Sequence, residues 1–155
     1  MEIFIPGSQA LHIRHLVFDF NGTLACNGKL LEGVEERLNR LSDNYNIHII
    51  TADTFGTVQQ QMENICCELV VIPQKNQDHA KAEFIKALTP STCISFGNGA
   101  NDLLMLKNSA LGITIMGCEG AATKTLLASD IVINNITDAL DLLIYPDRLK
   151  ATLRK

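Results

Sequence analysis

The chain's 155 residues and 17.0 kDa suit a single domain, residues 1–155, and leave little room for a second. With 46% hydrophobic and 19% charged residues it is no disordered chain, and it has neither the glycine period of collagen nor a sustained heptad. Seventeen acidic against thirteen basic residues give a net charge of −4, and the bases are scattered, which excludes nucleic acid as the main partner.

In chain order, Met1-Glu2-Ile3-Phe4-Ile5-Pro6 lacks the basic and long apolar regions of a signal peptide. Ile3 to Ile5, a Pro6-Gly7 turn and Ala10 to Ile13 read as an N-terminal β-hairpin. Brief apolar runs follow at residues 16–18, 47–50, 69–72, 94–96, 113–116 and 131–133, as in strands buried on both faces. Between them, apolar residues recur at helical spacing: Leu31, Val34, Leu38 and Leu41; Phe84, Ile85 and Leu88; Leu103, Leu104 and Leu106. Leu126 and Leu127 mark another helix, and Leu140, Leu142, Leu143 and Ile144 a further one. This alternation predicts an α/β fold, a doubly wound, Rossmann-like parallel sheet with helices on both faces.

The concentrated bases Arg148, Lys150, Arg154 and Lys155 read as a solvated terminal helix face. No apolar run approaches the ~18 residues of a membrane span. Cys26, Cys66, Cys67, Cys93 and Cys118 are odd in number and contain no C-x-x-C, so they predict neither a disulfide framework nor a zinc site. They read as small hydrophobes in a reducing cytoplasm.

In doubly wound sheets, ligands bind beyond the carboxyl ends of the strands, near the point where strand order reverses. Three predicted strand ends run into polar loops. Asp19-Phe20-Asn21-Gly22-Thr23-Leu24 puts an acid at a strand tip, as a nucleophile, a metal ligand or part of an ordinary Asx-Gly turn. Thr51-Ala52-Asp53 combines a hydroxyl with backbone N–H donors that can hold an anion; equally, Asp53 or Thr54 can cap the next helix. Gly97-Asn98-Gly99-Ala100-Asn101-Asp102 places two oxygen-bearing side chains four apart where a loop enters a helix, a donor set suited to Mg²⁺.

In this order and at strand ends, D-F-N-G-T-L, Thr51, a lysine and G-N-G-A-N-D-L-L-M-L resemble the motifs of the haloacid dehalogenase superfamily of aspartate-nucleophile phosphotransferases. The resemblance runs from Leu16 to about Ile133. More narrowly, the chain is similar to small stand-alone proteins described as soluble P-type ATPase-like, whose C-terminus is matched by Ala139 to Leu143, Pro146 and Arg148 to Arg154. The resemblance implies that Asp19 attacks phosphorus and becomes an aspartyl phosphate. Thr51, with Ala52 and Gly22, would bind the phosphoryl group. A lysine, Lys81 with Lys75 as runner-up, would neutralise charge. Mg²⁺ would be held by Asp19, the carbonyl of Asn21, Asn98 and Asp102, and Asp53 matches an acid of the corresponding P-type ATPase motif.

Two positions depart from the family pattern. Asn21 stands where most phosphatases of this superfamily have an acid–base aspartate, a loss worth ~10²–10⁴-fold in rate. Asn98 stands where the usual motif has a metal-ligating aspartate. Neither interval between motifs has room for a cap domain, so an open site is expected. It would serve a phosphorylated small molecule or phosphoprotein as an Mg²⁺-dependent phosphatase. The alternative is an impaired enzyme acting as a phosphate- or phosphoprotein-binding module. Membrane partners are not expected, and the N-terminal hairpin offers an edge for pairing with a second copy in a homo-oligomer.

Overall fold

Short runs of apolar, often β-branched residues form strands wherever they can be covered on both faces, and the intervening 3.6-period segments supply the cover. The computed structural model describes residues 1–53 and 56–155. A small N-terminal hairpin, β1 (Glu2–Ile3) and β2 (Leu11–His12), leads into β3 (His15–Asp19). Next come a second hairpin, β4 (Ala25–Cys26) and β5 (Lys29–Leu30), helix α1 (Val34–Ser42), β6 (Asn46–Thr51), α2 (Thr57–Gln61) and β7 (Glu68–Val71). The remainder is α3 (Gln77–Leu88), β8 (Cys93–Gly97), α4 (Leu103–Asn108), β9 (Leu111–Ile115), α5 (Thr123–Ala128), β10 (Ile131–Ile133), α6 (Ile136–Ile144) and α7 (Pro146–Leu153).

Six strands form one parallel sheet in the order β10-β9-β8-β3-β6-β7. The chain therefore starts at β3, winds outward through β6 and β7, and returns to β8 on the other side. The order reverses at β3, and the carboxyl ends of β3, β6 and β8 lie side by side there, where such sheets bind ligands. All six predicted sheet strands and the N-terminal hairpin are present. The first predicted helix begins only at Val34, because Leu30 is still in β5 and Gly33 adopts positive φ.

Successive strand residues serve opposite layers, as the two-residue pleat requires. Leu16, Phe18, Ile47, Ile49, Ile94 and Phe96 belong to one core with Val34, Leu38 and Leu41 of α1 and Ile136, Ala139, Leu140 and Leu143 of α6. Phe18 and Phe96 stack there with ring centroids 4.4 Å apart. Val17, Ile50 and Cys93 face the other layer, against Ile85 of α3 and Met105 and Leu106 of α4. The folded surface is 7942 Å², close to the ~7,700 Å² expected for one compact body of this mass. No helix among the described residues is long and apolar enough to cross a membrane.

The cysteine expectation needs correction. Cys26 and Cys118, 92 residues apart, form a disulfide, while Cys66, Cys67 and Cys93 are free. Folding brings the β4–β5 hairpin beside the loop after β9, with the two Cα atoms 6.2 Å apart, inside the range a disulfide spans. Of the two predicted helix caps, Thr54 lies outside the described residues. Asp53 does serve α2: its Oδ2 accepts hydrogen bonds from Val58 N at 3.1 Å and from the Thr57 hydroxyl at 2.7 Å.

Candidate active site

Asp19 ends β3, and the chain turns immediately behind it. The N–H groups of Thr23, Leu24 and Ala25 all converge on the Phe20 carbonyl, and Gly22 N–H bonds Ala25 O. None of these bonds uses the Asn21 carbonyl. Gly22 has φ +81°, and a Cβ built on it would lie 2.5 Å from Asn98 Nδ2 and 2.7 Å from Glu119 Oε2. Only glycine fits, on conformational and steric grounds together.

Lys81 is fully buried, on the same face of α3 as Ala82 and Ile85. Its Nζ lies 2.6 Å from Asp19 Oδ1 and 2.7 Å from Asp102 Oδ1. Asp102 Oδ2 accepts from the backbone N–H groups of Asn98 and Gly99, each at 2.9 Å. Its carboxylate packs so closely on Gly97 that a Cβ there would meet Asp102 Cγ at 2.5 Å. Asp102 thus fixes the 97–99 loop and shares the ammonium, with both oxygens engaged. Lys75, the runner-up for the site lysine, is exposed and outside the pocket wall.

One ammonium serving two buried carboxylates leaves a net negative charge in a poorly solvated place. Burial, then the Asp102 charge, pushes the Asp19 carboxyl up to about 7, against the opposing pull of Lys81 and Thr23. Burial works against the Lys81 ammonium, but Asp102 and Asp19 outweigh it and hold the group above the usual lysine range. Burial thus acts on both groups, raising Asp19 and opposing the Lys81 ammonium, and the two carboxylates decide the direction at Lys81.

Asp19 Oδ2 and Asn98 Oδ1 both lie 3.4 Å from the Thr23 hydroxyl, so they converge on one place. The Asn98 amide is oriented by a bond from Nδ2 to Gly120 O at 3.0 Å, and its backbone carbonyl accepts from Ala122 N at 2.8 Å. At the end of β6, Thr51 Oγ1 accepts the Asp53 N–H at 3.0 Å, which leaves the hydroxyl proton to donate elsewhere.

These strand ends floor a pocket of about 660 Å³, of a size that suits a small molecule. Asp19, Asn21, Thr51, Ala52, Asp53, Asn98 and Gly99 line it from the three motif loops. Sequence reasoning gave no role to other residues of the wall, among them Gly28 on the β4–β5 hairpin, Gln74 and Gln77 before and at the start of α3, Asn101 within the third motif, and Glu119 after β9. Met116-Gly117-Cys118-Glu119-Gly120 is a polar, glycine-flanked loop at a fourth strand end, a signal of the same kind as the other three. Among the described residues no three His, Cys, Asp or Glu side chains form a ready metal cluster. The converging oxygens of Asp19 and Asn98, with the Asn21 carbonyl, are nevertheless the hard donors that Mg²⁺ prefers.

No family model matches the chain. Among solved structures it is similar to the 3-deoxy-D-manno-octulosonate 8-phosphate phosphatase of Moraxella catarrhalis, which contains magnesium and phosphate ions. The TM-score is 0.73 at 17% identity, over 93% of this chain and 95% of that one. The cobalt-bound deoxy-D-mannose-octulosonate 8-phosphate phosphatase of Haemophilus influenzae gives 0.73 at 11% identity, over 93% and 94%. Two curated relatives from Methanocaldococcus jannaschii also match. The uncharacterized protein MJ0073 is 61% identical over 61 residues, which are 39% of this chain and 66% of that protein, just under two thirds of its length. The uncharacterized protein MJ0072 is 49% identical over 39 residues, 25% of this chain and 89% of that protein. The sheet order, the short intervals between motif strands and these likenesses together identify the chain as a capless protein of the haloacid dehalogenase fold, in one family with MJ0072.

Proposed function

We propose that the protein is an Mg²⁺-dependent phosphoryl-transfer enzyme, a phosphatase acting through an aspartyl phosphate on Asp19. The observation that carries this reading is the Asp19–Lys81–Asp102 chain at the point where strand order reverses, with Thr51 facing the same pocket. Asp19, Asn98 and the Asn21 carbonyl would hold the ion. When bound, Mg²⁺ supplies positive charge to the ionised nucleophile and to the phosphoryl oxygens.

A carboxylate oxygen of Asp19 forms a bond to phosphorus as the bond from phosphorus to the leaving oxygen breaks. Lys81 keeps Asp19 in register and offsets its charge, Thr51 donates its hydroxyl proton to a phosphoryl oxygen, and Asp102 positions Lys81 from behind. Water then attacks the phosphoenzyme and releases inorganic phosphate. Asn21 has no proton to give the leaving group or to take from this water, so both protons are exchanged with solvent and the second step is slow. A long-lived phosphoenzyme follows, as in P-type ATPases. The substrate is a phosphorylated small molecule or a phosphoprotein side chain, either of which reaches an open pocket.

The test is hydrolysis of acetyl phosphate and an aryl phosphate, with and without Mg²⁺, by wild type and Asp19→Asn. Mass spectrometry of acid-quenched protein reports the phosphoenzyme. Mg²⁺-dependent turnover or a trapped adduct, lost in Asp19→Asn, is expected. Silence in both readouts from folded protein counts for a binding module.

A further inference from the structure

Asn98 leaves the metal side of the pocket one negative charge short of the family pattern, and Asp102 is poorly placed to make it up. Both Asp102 oxygens are taken, one by Lys81 and one by two backbone N–H groups. The loop after β9 brings a different carboxylate to the same spot. The point where a Gly22 Cβ would stand lies 2.5 Å from Asn98 Nδ2, 2.8 Å from Asn98 Oδ1 and 2.7 Å from Glu119 Oε2, so the Asn98 amide and the Glu119 carboxylate flank one position beside the Asp19 turn. Glu119 lines the pocket. The neighbouring Gly120 carbonyl holds Asn98 Nδ2, which turns Asn98 Oδ1 toward Thr23 and Asp19. One loop therefore aims the neutral ligand and delivers a charged one, and the Cys26–Cys118 bond anchors that loop one residue from Glu119.

We propose that Glu119 is the carboxylate on the metal side of this site, replacing from the β9 loop the charge that Asn98 lacks on the β8 loop. The inference rests on the reading of the site as an Mg²⁺ site. It assigns the ion two carboxylates, Asp19 and Glu119, with neutral oxygens and water completing its shell, a composition Mg²⁺ accepts.

Titration calorimetry with Mg²⁺ alone, on the oxidised protein at pH 8, tests it without reference to turnover. Glu119→Gln should weaken Mg²⁺ binding about 10–100-fold. Asn98→Asp combined with Glu119→Gln should restore affinity to within about threefold of wild type. Glu63→Gln, which removes an exposed charge outside the pocket, should change it less than about twofold. The Glu119 effect should also persist in about 0.5 M KCl, where long-range fields between exposed charges are screened. Wild-type affinity in Glu119→Gln, failure of the added Asn98→Asp substitution to restore it, or a loss that vanishes in salt would overturn the inference alone. Absence of Mg²⁺ binding by wild type would overturn the reading of the site and the inference with it.

Discussion

Removing the proposed nucleophile should stabilise the metal-free protein, and the gain should depend on pH. In Asp19→Asn, Lys81 keeps Asp102 as its ion-pair partner and the amide oxygen of residue 19 still accepts its hydrogen bond, while the surplus buried negative charge disappears. Asp19 moves from an ordinary 3.8 to about 7 in the folded protein. At about 1.4 kcal/mol per unit, ionising it in the fold rather than in the unfolded chain costs up to about 4 kcal/mol. The sign follows from the raised value. The folded state prefers the protonated acid, so this group costs nothing below pH 3.8, progressively more between 3.8 and 7, and its full amount above 7. Asp19→Asn should thus match wild type near pH 3.5 and gain about 2–4 kcal/mol at pH 8. For a chain of this size that is roughly 4–16 °C in Tm. Thermal unfolding in EDTA across pH 3.5 to 8.5 measures it, and added Mg²⁺ should narrow the gap by stabilising the ionised wild type. A gain that does not vary with pH, or a variant less stable than wild type at pH 8, would refute the account of one ammonium serving two carboxylates.

Lys81→Met should be the most damaging change in the site, destabilising by about 3–5 kcal/mol at pH 8 in urea titrations, and the added Asp19→Asn substitution should recover part of it. Asn21→Asp should speed phosphoenzyme hydrolysis at least about tenfold in single-turnover quench experiments, because a proton carrier is restored next to the reacting oxygens. Gly22→Ala should lose about 1–3 kcal/mol in the same urea assay and weaken Mg²⁺ binding, since residue 22 has positive φ and its methyl group would displace Asn98 and Glu119. At the opposite end of the sheet, His15 Nδ1 lies 3.0 Å from His48 Nε2, and His48 Nδ1 lies 2.7 Å from Glu68 Oε2. Burial, then the His48 and Arg14 charges, lowers the His15 pKa, so the fold favours neutral His15 and loses that stability as pH falls below 6.5. His15→Gln should flatten the decline in Tm between pH 7 and 5; an unchanged slope would count against this assignment.

The buried strands were legible because their apolar runs are brief and bounded by polar turns, and three of them end in Asp19, Thr51 and the 97–102 loop. Those residues carry their own chemistry, so position and type could be read together. The choice between Lys81 and Lys75 needed the phase of α3, which turns Lys81 inward with Ala82 and Ile85 and leaves Lys75 before the helix. Asp102 looked like one more metal oxygen in sequence. Its commitment to Lys81 and two N–H groups depends on Gly97 offering no side chain, a three-dimensional fact. Glu119 and Gln74 sit on loops with no periodicity to mark them, and Gln77 at the start of α3 and Asn101 inside the 97–102 motif carry amides to which sequence alone assigned no role. The Cys26–Cys118 pairing was hidden by an odd cysteine count and by a separation of 92 residues that only the finished sheet closes.

That bond has a kinetic consequence. The β4–β5 hairpin forms one wall of the mouth through Gly28, and the loop bearing Glu119 forms another. The disulfide joins the two walls. On the far side, Gln61 pins the hairpin to α2, accepting Leu30 N–H at 2.6 Å and donating to Gly28 O at 2.7 Å. With both flanks tied, the hairpin is held against the Glu119 loop and α2 and does not swing as a hinged lid, so on that side a ligand meets a preformed wall. Discrimination there falls on shape at first encounter rather than on induced closure, and product departure past the hairpin should proceed without waiting for a gate.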